Sequence, residues 1–106
     1  MRNALNWFEI PVADIERAAR FYSTIFDADL EIEEATPGFQ MAQLPYEEGV
    51  GGALVQGEGY APNPQGTVVY LNGGEDLSIV LDRVAEAGGE VLTPKTSIGE
   101  NGFAAF

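Results

Sequence analysis

One pattern is written twice along this chain, and that repetition limits its possible folds more than any other feature. Residues 5–12 alternate as a strand does, with Phe8, Ile10 and Val12 on one face and Leu5, Trp7, Glu9 and Pro11 on the other. Asp14 is placed to cap a helix running from Ile15 to Phe26. Its apolar residues Ile15, Ala18, Ala19, Tyr22, Ile25 and Phe26 recur at three and four, which makes one buried stripe. Strands are expected over Leu30–Glu34, Phe39–Leu44 and the glycine-rich Val50–Val55, with Pro37-Gly38 and Pro45 as breaks. Residues 57–66 hold Gly57, Gly59, Pro62, Pro64 and Gly66, the composition of a linker.

The pattern then restarts. Thr67–Leu71 reads as a strand, and Asp76 as the cap of a helix carrying Leu77, Val80, Leu81, Val84 and Ala87. Gly88-Gly89 stops that helix, Glu90–Thr93 reads as a strand, and another begins at Gly102. Trp7 corresponds to Thr67 and Ile15 to Leu77, with Gly73-Gly74 inserted in the second copy.

A strand–helix–strand–strand–strand unit cannot cover its own sheet, so two such units are expected to share one domain. The expected class is α+β: two βαβββ modules paired side by side, helices outside, with a concave-sheet cleft between them. Module one spans about 1–56 and module two 67–106. The second copy stops at Phe106 inside an apolar strand, so its last strand is expected to be absent or truncated. An uncovered edge favours pairing with another chain, and a homodimer is the expected assembly.

Composition excludes several function classes. Seventeen acidic residues against five basic ones give a net charge of −12. Such a chain has no basic footprint for nucleic acid and none for an anionic membrane surface. It suits a soluble, self-repelling surface, or the attraction of a cationic ligand. With no cysteine and no histidine, disulfides, thiolate nucleophiles and the usual catalytic triads are out of reach. No apolar run has the length of a membrane span, and the N-terminus lacks a signal-peptide pattern, so a cytoplasmic location is expected. Neither glycine pair forms a phosphate loop, and Gly57-Glu58-Gly59 lies in the linker, outside any strand–helix context. Lys95 and Ser97 are a nominal Ser–Lys pair on a loop.

The segment Ile10-Pro11-Val12-x-Asp14-Ile15-Glu16-Arg17-Ala18-x-x-Phe21-Tyr22 resembles the opening of the vicinal oxygen chelate superfamily, which holds glyoxalase I, extradiol dioxygenases and bleomycin-resistance proteins. The resemblance extends over the whole chain and implies the paired-module fold. It also implies a metal site, with a ligand from the first strand, one from the strand closing each module, and one from the strand opening the second module. Carried to this sequence, those positions are Trp7, the run Gly51-Gly52-Ala53-Leu54, and Thr67; the fourth would lie beyond Phe106. A divalent metal needs converging nitrogen or oxygen donors, and these residues do not supply them. No metal and no cofactor are therefore expected.

The expected function is that of a small glyoxalase/bleomycin-resistance-like protein that binds a small organic ligand in the cleft without a metal. Two alternatives stand beside it: a lyase or isomerase of the superfamily, either metal-independent or metal-dependent with ligands from outside this chain, and a drug-sequestering resistance protein. Strand alternation puts Trp7 and Glu9 on the concave face, where the indole lines the cleft or fills core. Glu9 there is either a general base with a raised pKa or a solvated carboxylate at the rim. Thr67, Phe39, Met41, Gly52, Leu54 and Phe103 complete the candidate ligand surface, with Gln43 on the same face as Phe39 and Met41. Tyr46 and Tyr60 stand near loops. Gly51-Gly52 permits close backbone approach by a ligand or a partner strand.

Overall fold

The computed structural model describes residues 3–106. Its first half is a β1–α1–β2–β3–β4 unit: β1 Trp7–Pro11, α1 Ile15–Phe26, β2 Ile32–Thr36, β3 Phe39–Gln43 and β4 Gly51–Gln56. The four strands form one sheet in the order β1-β4-β3-β2. β1 runs parallel to β4, while β3 is antiparallel to both β4 and β2. A parallel β1–β4 pair requires a long crossover, and α1 with β2 and β3 supplies it.

The helix begins and ends for local reasons. The Asp14 carboxylate accepts from the backbone N–H of Glu16 at 3.1 Å and of Arg17 at 3.2 Å, satisfying two donors that a helix start leaves free. Glu16 in the first turn suits the positive end of the helix dipole. At the other end Asp27 adopts the left-handed conformation, φ 51°, and its N–H returns to Ser23 and Thr24. The Gln56 side chain accepts from Ile15 N at 2.6 Å and ties the start of α1 to the end of β4.

α1 lies on one face of the sheet. Ile15 and Ala19 of the helix pack with Ala42, Leu44 and Leu54 in a core cluster, with Phe8, Ile10, Val12, Tyr22 and Phe26 against its edge. The register follows this division: Phe8 stands opposite Gly52, and Ile10 opposite Leu54, which in turn faces Ala42. A β-carbon built on Gly52 would come within 2.4 Å of the Phe8 ring, so the ring lies directly on the glycine backbone.

In the second half, α2 (Leu77–Val84) follows the Asp76 cap and packs on α1, and Arg83 donates to the Ile25 carbonyl at 3.1 Å. Here the structure departs from the expected second module. Thr67–Leu71 has strand-forming residues but joins no ladder, and Val68 and Tyr70 are exposed. Propensity for a strand is expressed only where another strand offers backbone partners, and this segment has none. Glu90–Thr93 is likewise irregular, although the Leu92 and Thr93 N–H groups donate to the Phe106 carbonyl and the Phe106 N–H donates to the Thr93 carbonyl. The remaining ladder is two residues long, β5 (Thr96–Ser97) against β6 (Phe103–Ala104). The α+β class therefore holds, and the described residues form a four-stranded sheet and a two-stranded one, β5-β6.

Candidate functional site

The face of the sheet turned away from α1 carries the candidate site. Cross-strand register arranges it in rows: Trp7 beside Gly51; Glu9, Ala53 and Gln43; then Pro11, Val55, Met41 and Glu33. Ala53 and Val55 are fully buried in the middle of this face, and Trp7 stands at its margin, 39% exposed. The Trp7 indole N–H donates to a Glu9 carboxylate oxygen at 3.3 Å, which links the two residues that alternation places side by side.

Gly51 explains how the indole is seated. A β-carbon at Gly51 would lie 3.2 Å from the Trp7 six-membered ring and 3.3 Å from the Tyr46 ring. Both rings therefore close over the same glycine, and Tyr46 keeps more than half of its surface open. The result is two rings flanking one glycine, with an exposed carboxylate against the indole edge. Such a group offers apolar planes, one polar anchor and one negative charge, which suits binding.

The other expected residues are distributed as follows. Met41 and Phe39 are half-buried, and Phe39 packs against Tyr60 with ring centroids 5.2 Å apart. Gly52 and Leu54 belong to the opposite, helix-covered face: Leu54 is fully buried in the core and Gly52 lies under Phe8. They stand on the other face of the sheet from Trp7 and Glu9, because one residue of offset along a strand reverses the face. Thr67 is exposed on a loop and lines a cleft of about 630 Å³ together with Phe8, Phe26 and Gly52. Phe103 lines a different cleft, of about 860 Å³, between α1, α2 and the C-terminal residues. Its ring lies 4.8 Å from the Lys95 ammonium group, which also pairs with Asp76 at 3.2 Å. Asp76 is held below the usual carboxylate range by the Ser78 backbone N–H and then by Lys95. Burial raises the Tyr22 phenol. Tyr46 is the site residue that periodicity did not single out; the signal for it is Gly51, a residue without a side chain beside an exposed tryptophan.

Comparison with known proteins fixes the family. The profile of the glyoxalase/bleomycin resistance protein/dioxygenase superfamily matches residues 4–106. The chain belongs to this superfamily. No curated protein matches it. Among solved structures, a hypothetical protein from S. aureus is similar over 99% of this chain and 84% of its own, with a TM-score of 0.56 and 20% identity. An integron cassette protein from the mobile metagenome of V. Cholerae gives 0.51 and 18% over 99% and 84% of the two chains. Its counterpart from V. Pseudocholerae gives 0.50 and 19% over 99% and 83%. At such identities these neighbours establish the fold.

The resemblance to the superfamily's metal enzymes points to three positions of this chain as ligand positions. The positions that would supply donors are an indole at Trp7, the side-chain-poor run Gly51–Leu54, and a lone hydroxyl at Thr67. Among the described residues, no group of three or more His, Cys, Asp or Glu side chains is placed to hold an ion. An indole N–H is a donor only and offers no lone pair to a cation. Between them these three positions offer a divalent ion one side-chain oxygen, that of Thr67.

Proposed function

We propose that this member of the glyoxalase/bleomycin resistance superfamily is a binding protein that takes a small organic ligand on the Trp7 face of its sheet, without a metal. One observation carries the reading: the position that would open a metal site presents an indole, anchored by its N–H on Glu9 and seated with Tyr46 against Gly51. An indole held by its edge and 39% exposed still offers ring surface, and an aromatic face buries a flat ligand at small entropic cost. Among the described residues one edge of β1 has no ladder partner, which supports a homodimer as part of the same proposal. A cytoplasmic location belongs to it as well.

Trp7 is the only tryptophan, so its emission is a direct reporter. A library of small aromatic and aliphatic compounds, screened by emission excited at the indole band and by thermal shift, should yield stabilising ligands that also change Trp7 emission. Stoichiometric stabilisation by zinc or nickel would overturn the metal-free reading. Stabilising ligands that leave Trp7 emission untouched would move the site elsewhere.

A further inference from the structure

We propose that Asn72-Gly73 is a site of covalent self-modification, at which the Asn72 side chain closes on the Gly73 backbone nitrogen and becomes an aspartyl or isoaspartyl residue. The reaction needs a side-chain amide, a following backbone N–H free to lose its proton, and no side chain crowding that nitrogen. The asparagines are Asn3, Asn6, Asn63, Asn72 and Asn101, and of these Asn72 and Asn101 precede glycine. Gly73 follows the segment that joins no ladder, and among the described residues no acceptor holds its N–H. The Asn72 side chain is exposed, and its carbonyl oxygen accepts from the Gly74 N–H at 2.8 Å. That turn folds the side chain back across Gly73. The Gly74 N–H also polarises the side-chain carbonyl and faces the oxygen that gains negative charge when its carbon is attacked.

Two other asparagines mark the contrast. Asn63 makes the same turn, its oxygen accepting from the Gln65 N–H at 2.8 Å, but Pro64 stands between them and its nitrogen has no proton to lose. Asn101 precedes Gly102, whose N–H is already given to the Gly99 carbonyl at 3.1 Å, closing the short helical turn Gly99–Asn101. Asn72 alone combines a turned side chain with an unheld glycine N–H. The step balances without any oxidant or reductant. A solvent base takes the Gly73 proton, the nitrogen bonds to Asn72 Cγ, and the Cγ–Nδ2 bond breaks as ammonia leaves. Water then opens the five-membered ring at either carbonyl, so a carboxylate stands where an amide stood. The product carries one negative charge beyond the original −12, at a residue that lines both the cleft of about 630 Å³ and that of about 860 Å³. Opening at the main-chain carbonyl gives the isoaspartyl form and lengthens the backbone by a methylene. It does so where Gly73 is tightly packed, since a β-carbon there would lie 2.5 Å from Leu77 Cδ1.

The test incubates the 106-residue chain in warm, mildly alkaline buffer and follows ammonia release and the mass change from amide to acid. Trypsin cuts after Arg20, Arg83 and Lys95, so Asn72 is read on fragment 21–83 and Asn101 on fragment 96–106. Fragmentation of the first separates Asn72 from Asn63. Short peptides spanning residues 69–76 and 98–104 give the rates of the two Asn-Gly steps without the fold. In the folded chain Asn72 should convert at least as fast as in its peptide. Asn101 should convert about tenfold more slowly than in its own, the cost of breaking the Gly102 hydrogen bond. Asn72→Gln, at an exposed position, should abolish the fast ammonia release, because the longer side chain must close a larger ring; Asn101→Gln should leave that release unchanged. The assignment is overturned if Asn101 keeps pace with Asn72 in the folded chain, or if Asn72 converts more slowly than its peptide. Conversion located at Asn63, or fast release that persists in Asn72→Gln, would overturn it equally.

Discussion

Gly52→Ala offers the sharpest structural test, because the expected cost comes from one geometric fact. A β-carbon at Gly52 would lie 2.4 to 2.5 Å from three atoms of the Phe8 ring. Non-bonded carbons rest about 3.5–4.0 Å apart, so the ring must retreat by about 1 Å or more. It has little room, since Phe8 packs against the cluster of Ile15, Ala19, Ala42, Leu44 and Leu54. Overpacking a filled interior costs about 1–3 kcal/mol, and complete ejection of the ring would cost about as much through lost burial. Gly51→Ala on the opposite face is the control. Its new carbon would meet Trp7 and Tyr46 at 3.2 and 3.3 Å, and both rings are exposed enough to give way. Denaturant unfolding of the two variants should place Gly52→Ala about 1–3 kcal/mol below the parent and Gly51→Ala within about 0.5 kcal/mol of it. Combining Gly52→Ala with Phe8→Leu should recover part of the loss, as expected when two residues compete for one volume. If Gly52→Ala were neutral, or the two glycines behaved alike, the assignment of faces in β4 would be wrong.

Three further outcomes follow from the same description. Leu54→Ala should lose about 2–5 kcal/mol in denaturant unfolding, since Leu54 is a fully buried core side chain and not a contact for ligands. Its ligand affinity, measured under folding conditions, should stay near that of the parent. Asp14→Ala should cost about 1 kcal/mol by removing the acceptor for two helix-start donors, while Asp14→Asn should retain most of it. Asp76 titrates below its ordinary value of 3.8 in the folded chain, so its contribution is present above that pH and fades as pH falls through the folded value. Unfolding of the parent and of Asp76→Asn, compared across acid pH, should show a gap that closes below 3.8; a gap independent of pH would contradict the Ser78 and Lys95 interactions.

The first half was legible because its signals are local. Asp14 and the three–four spacing fixed α1 at Ile15–Phe26, and alternation in β1 separated Phe8, Ile10 and Val12 from Trp7 and Glu9. β4 resisted the same reasoning. Gly51-Gly52-Ala53-Leu54-Val55 is buried without alternation, so no pattern in the sequence says that Gly52 and Leu54 are the residues that face α1. Thr67–Leu71 failed for another reason: its residues favour a strand, but a ladder depends on a partner far away in sequence. Tyr46 carries no periodic signal, because it lies on a loop, and only the three-dimensional closure over Gly51 joins it to Trp7.

The claim that the Trp7 face is the binding surface can be tested at one resonance. In a proton–nitrogen spectrum the single indole N–H of Trp7 gives its own peak, separate from the backbone. Titration with a ligand that stabilises the chain should move that peak together with the amides of Gly51 and Glu9. Shifts confined to Phe21, Tyr22, Val84 and Phe103, which line the cleft between α1 and α2, would place binding there and contradict the account.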